Sequence, residues 1–99
     1  MNIINSVMDI VCDNIGIEKS LLWTSNREEC VDARAVVCTI LNEVGMSDKE
    51  ISSVVHITRQ GVNKLRNGFY YRRKQKWRVR EAYRVSRIMV SKILPREHK

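Results

Sequence analysis

The sequence predicts an all-α fold of five to six helices, and two observations predict it. Apolar residues recur at intervals of three and four, the helical period, and not at the alternating period of a half-buried strand. Proline occurs once, at Pro95, so no proline interrupts a helix before the C-terminal tail. Ninety-nine residues make one domain with room for one modest core.

Each element has its own signal. Ile3, Ile4, Val7, Met8, Ile10 and Val11 define a first amphipathic helix that ends near Asn14 and Gly16. Residues 17–22 read as a short second helix or a turn, with Trp23 as a core anchor. Ser25 and Glu28 have capping-box spacing and open a long helix. Its buried stripe is Ala33, Val37, Ile40, Leu41 and Val44, and Gly45 stops it. Ser47 and Glu50 repeat the capping box before an apolar face of Ile51, Val54 and Val55. The chain then turns through His56 and Ile57, and Thr58 caps a helix with Val62 and Leu65 inward and Gly68 as its stop. A final basic helix occupies residues 70–94, with Ala82, Val85, Met89 and Ile93 inward. Trp77 and Tyr83 are assigned to the core, Pro95 ends the helix, and residues 96–99 form a tail.

Residues 47–67 therefore have the pattern of a helix-turn-helix. The motif wants a branched apolar residue and a small one early in its first helix, apolar residues flanking the turn, and two more on its second helix. Ile51, Ser52, Val55, Ile57, Val62 and Leu65 occupy those places. His56 stands where Gly is usual, a place that asks for a left-handed backbone. Gly61 inside the second helix costs ~1 kcal/mol in helix propensity. The outward residues of that helix are Arg59, Gln60, Asn63, Lys64 and Asn67. All can donate hydrogen bonds and none is acidic, which suits base edges and phosphates in a DNA major groove.

Charge sharpens this reading. The net charge of +7 divides into −4 over residues 1–47 and +11 over residues 48–99. The basic half carries the helix-turn-helix, an electrostatic footprint for polyanions, and the acidic half is expected to face away from them. Segment 70–80 interleaves aromatic and basic residues, a composition fit for phosphate contact and stacking. The expected base-reading residues are Arg59, Gln60, Asn63 and Asn67. The expected backbone contacts are Thr58, Lys64, Arg66, Arg72, Arg73, Lys74 and Lys76. Few acids stand near the last four in sequence.

Cys12, Cys30 and Cys38 are odd in number and lack the short paired spacing of a zinc site, so they read as buried free thiols in a reduced cytosol. No signal peptide and no apolar run of membrane-spanning length are visible, which predicts a soluble, cytoplasmic chain.

The order of helices resembles the C-terminal DNA-binding domain of the bacterial replication initiator DnaA, a Trp-repressor-like fold. The matching residues are Ser25, Arg27, Val31, Ala33, Arg34, the helix body to Leu41, Gly45-Met46-Ser47, Glu50-Ile51 and Val62. The resemblance covers roughly residues 10–65. It implies that Arg27 belongs to a basic minor-groove loop and Arg34 to the start of the long helix, both as backbone contacts. It also implies that Arg59, Gln60, Val62 and Asn63 lie on the reading helix. This chain departs from the family at Ile57-Thr58-Arg59-Gln60-Gly61, and Glu28 and Glu29 stand where the loop is usually basic. The family's recognition sequence therefore does not transfer. No phosphate-binding Gly-x-x-x-x-Gly-Lys-Ser/Thr occurs, so the resemblance is to a stand-alone DNA-binding domain without ATPase activity.

The leading expectation is a sequence-preferring binder of double-stranded DNA, a monomer or homodimer that regulates transcription or replication and sits on the bacterial nucleoid when bound. No cofactor or metal is expected. Two other readings stay open: a protein-interaction module that kept the fold and lost DNA binding, and an RNA binder using segment 70–80. An enzyme is the least supported. His56 and His98 are the only histidines, and no nucleophile–base constellation is visible.

Overall fold

A computed structural model describes residues 3–94. The fold is all-α: α1 (Ile3–Ile15), a 3₁₀ turn (Lys19–Leu21), α2 (Glu28–Glu43), α3 (Asp48–Val55), α4 (Arg59–Gln75) and α5 (Trp77–Ile93). There is no strand among the described residues. Pro95 and the tail of residues 96–99, with His98, lie outside them. No helix among the described residues is long and apolar enough to cross a membrane.

α2 is the central strut. It packs against α1, α3, α4 and α5, and its buried residues include Cys30, Ala33, Val36, Val37, Ile40 and Leu41. Burial spread around so much of a helix is what a position inside the fold requires. Val7 and Val11 of α1, Ile51 of α3, Val62 and Phe69 of α4 and Val79 and Val90 of α5 complete one core. Trp23 packs at its edge and donates its Nε1–H to Met8 Sδ at 3.3 Å.

The structure corrects several sequence expectations. The N-cap of α2 is Arg27, not Ser25, and no side chain caps it. Ser25 Oγ instead accepts from the backbone N–H of Arg27 at 3.2 Å. Val54 of α3 is 38% exposed, so the inward face of that short helix is Ile51 and Val55 alone. Gly68 does not stop α4, which runs 17 residues. The stripe of Val62 and Leu65 continues to Phe69, whose ring meets Tyr83 edge-on at 4.7 Å, and that burial outweighs the ~1 kcal/mol propensity cost of glycine. The break comes at Lys76, an extended residue (φ −123°, ψ 109°) that ends α4 and starts α5.

The buried face of α5 is Val79, Ala82, Tyr83, Ser86 and Val90, not the face carrying Met89, which is 41% exposed. A serine holds a core position there because Asn14 Nδ2 donates to its Oγ at 3.0 Å. A polar residue satisfied in the interior leaves no mark in an apolar pattern. Trp77 is 66% exposed and lines a surface cleft of about 580 Å³ with Ile15, Val79 and Val85, while Tyr83 is in the core.

Candidate nucleic-acid interface

The α3–α4 pair is built by local chemistry. Glu50 N–H donates to Ser47 Oγ at 3.1 Å and Ser47 N–H to Glu50 Oε1 at 2.9 Å, a full capping box. α3 then ends on His56, the one non-glycine residue with positive φ among those described (φ 62°, ψ 38°). Its N–H reaches Ser52 O at 3.0 Å. The Ser52 hydroxyl donates across the turn to Ile57 O at 2.5 Å, which gives the small residue in α3 a structural task. Thr58 Oγ1 accepts from Gly61 N–H at 2.9 Å and caps α4.

That cap explains Gly61. A Cβ there would stand 3.1 Å from Thr58 Oγ1 and press on the capping hydroxyl. Gly61→Ala alone is therefore expected to lose most of the ~1 kcal/mol that helix propensity would add. In a Thr58→Ala background, itself destabilised by ~1 kcal/mol, the gain should reappear. Urea unfolding of both single variants and the double variant measures the coupling. An equal effect of Gly61→Ala in both backgrounds would show that the cap does not dictate the glycine.

Arg59, Gln60, Asn63, Lys64 and Asn67 are all exposed on one side of α4. Arg59, Gln60 and Lys64 make no hydrogen bond or ion pair with any described residue. The two asparagines are held. Asn67 Nδ2 donates to Asn63 Oδ1 at 3.0 Å, and Asn63 Nδ2 to Asp48 Oδ2 at 3.2 Å. Asp48, from the first turn of α3, is the acid that the linear pattern did not place beside this face. Arg66 grips it with two bonds, Nε to Oδ1 at 2.6 Å and Nη2 to Oδ2 at 2.9 Å. That fork locks α4 to α3 and holds the Asp48 carboxyl below its usual range.

Four of the expected backbone cations are tied to carboxylates or backbone carbonyls of the fold. Arg66 is one. Arg34 donates from Nε to Leu22 O at 2.5 Å and from Nη2 to Ser25 O, so it shapes the loop before α2. Arg72 and Lys76 converge on two carboxylates of α2. Arg72 Nη1 lies 2.7 Å from Asp32 Oδ1 and 3.2 Å from Glu28 Oε2, and Lys76 Nζ lies 3.1 Å and 2.5 Å from the same residues. The expectation that few acids neighbour this segment fails here, because α2 brings them from 40 to 48 residues away. Asp32 is buried, and these two cations compensate its charge. Glu28, a departure from the basic loop of the resembled family, is held below the usual carboxylate range, first by its hydrogen bond from Lys76. The side chain of Arg27 is exposed, beside this cluster in sequence.

Arg73 and Lys74 lie against aromatic rings. The Arg73 guanidinium is 5.7 Å from the Phe69 centroid and 6.0 Å from that of Tyr83, and Lys74 Nζ is 4.9 Å from that of Tyr70. Across from them α5 presents Arg80, the end of the basic and aromatic segment 70–80, with Arg84 and Arg87, to which the sequence pattern assigned no role. Their i, i+4, i+7 spacing is a signal that could have found them.

The three cysteines are free and buried. Burial pushes the Cys12 thiol up to about 11 and the Cys38 thiol to about 12, so neither is a ready nucleophile. No protein-family model matches the chain, and no curated protein and no solved structure matches it.

Proposed function

We propose that the protein binds double-stranded DNA through the exposed face at the start of α4, as a helix-turn-helix regulator of transcription or replication related to the DNA-binding domain of DnaA. The observation that carries the reading is the state of Arg59, Gln60 and Lys64. They lie on the first turns of a capped helix, exposed and free of hydrogen bonds and close ion pairs among the described residues, with Arg59 near enough to Asp48 to feel its charge. A guanidinium whose donors are unused and a free amide near a helix start are suited to two-bond contacts with guanine and adenine. Lys64 and Arg73 suit the phosphates, as do Lys74 and the Thr58 hydroxyl at the α4 cap. Arg34, Arg66, Arg72 and Lys76 act one step back, by fixing the loop before α2 and the pose of α4. Asn63 and Asn67 read bases only after the Asp48–Asn63 bond is released, so they are the lesser contributors.

A preferred duplex selected from random DNA tests this assignment against a scrambled one. Arg59→Ala is expected to cost ~1–3 kcal/mol on the preferred duplex and to relax specificity at one position. Asn63→Ala should cost less. Lys64→Ala should weaken both duplexes alike. Equal losses on the two duplexes for Arg59→Ala would make this residue a phosphate anchor. No binding of any duplex by the wild-type chain would end the DNA reading and leave the protein-interaction module standing.

A further inference from the structure

The C-terminal half of α4 and the facing side of α5 enclose an open groove of about 670 Å³. Five cations line it: Arg73 and Lys74 from α4, and Arg80, Arg84 and Arg87 from α5. Two carboxylates answer them. Glu81 pairs with Arg84 at 2.8 Å, and Glu43 with Arg87 at 3.3 Å while accepting from the Tyr83 hydroxyl. Arg80 is exposed and makes no close ion pair among the described residues, though its charge helps hold Glu81 ionised. The guanidinium groups of Arg73 and Arg87 both lie against the ring of Tyr83, at 6.0 Å and 5.4 Å from its centroid. Glu43 already neutralises Arg87, so of the two guanidinium groups on this ring Arg73 is the one with no carboxylate within ion-pair distance among the described residues, and an anion entering the groove would meet it beside Lys74.

The position of the groove along α4 bears on which anion would fit it. Tyr70 and Lys74 follow Asn67 at helical spacing, so the groove opens on the side of α4 that also carries Arg59 and Asn63. At 1.5 Å per residue, Lys74 lies roughly 22 Å along the helix from Arg59. Laid along a duplex, that span reaches at most about six base pairs at 3.4 Å each. We propose that this groove is a second nucleic-acid seat, which grips the phosphodiester backbone of the same duplex several base pairs from the bases that α4 reads, with Arg80, Arg84 and Arg87 as its contacts. The inference rests on the DNA reading above and adds three residues and a longer footprint to it.

The test compares wild type with an Arg80→Ala/Arg84→Ala variant on two duplexes, one of about 8 base pairs centred on the preferred site and one of about 20. Both side chains are on the surface, so the fold is expected to survive their loss, and circular dichroism checks it. Wild type should bind the long duplex more tightly than the short one. The variant should lose roughly tenfold per missing contact on the long duplex near 0.1 M salt, and its salt slope should fall by about two. On the short duplex it should match wild type. A variant that binds the long duplex as wild type does, or that loses equally on both, overturns the second seat and leaves the reading helix intact. Failure of wild type to bind either duplex overturns the DNA reading itself, and the groove proposal with it.

Discussion

Raising salt from 50 to 200 mM is expected to weaken binding of random duplex DNA by about a thousandfold, the loss that follows from roughly six neutralised phosphates. The cations available for this are now specific. Lys64 of α4, Arg73 and Lys74 at the groove, and Arg27 near α2 have no carboxylate within ion-pair distance among the described residues, Arg80 feels Glu81 without a close ion pair, and Arg84 and Arg87 have one carboxylate each on the surface. Arg66, Arg72 and Lys76 release few counterions because Asp48, Glu28 and Asp32 already neutralise them. Fluorescence titration across the salt range gives the slope, expected near −0.9 per contact. An affinity indifferent to salt over that range would favour a protein partner over DNA. The same titration with single-stranded RNA separates duplex binding from use of the Tyr70–Tyr71 surface for stacking.

Leu41→Ala is expected to destabilise the chain by ~2–5 kcal/mol, because it opens a cavity that a close-packed interior only partly refills. Leu41 is fully buried on the helix that every other helix touches, so collapse around the void would have to move several elements together. A domain of this size has roughly 5–15 kcal/mol to lose. At about 4–8 °C per kcal/mol, the midpoint should fall by roughly 8–40 °C. Thermal and urea unfolding read the loss. Val54→Ala is the control: that residue is 38% exposed, and its truncation should stay within about 0.5 kcal/mol. Similar losses at the two positions would mean that α2 is not the centre of the core.

The two caps of the α3–α4 pair and the left-handed residue between them were legible in the sequence. So were the apolar periods of α1, α2 and α4 as far as Leu65. These features depend on residues three or four apart, and such contacts form within one helix whatever surrounds it. The outward display of Arg59, Gln60 and Lys64 follows from the same local geometry once Val62 is placed inward.

What the linear pattern could not decide depended on contacts between distant residues. α4 continues through Gly68 because Phe69 meets Tyr83 of α5, a partner known only after the chain has folded back. The register of α5 turns on Ser86, whose burial is made tolerable by Asn14 from the other end of the chain. Trp77 lies on the surface because that register, set elsewhere, carries it there. Charge behaved in the same way. The sequence established that the second half is basic, since net charge is a sum over residues. Only the tertiary structure divided those cations into ones that hold the fold and ones left for a partner, because the dividing carboxylates, Glu28, Asp32 and Asp48, come from other helices and a charge is spent by its nearest neighbour in space.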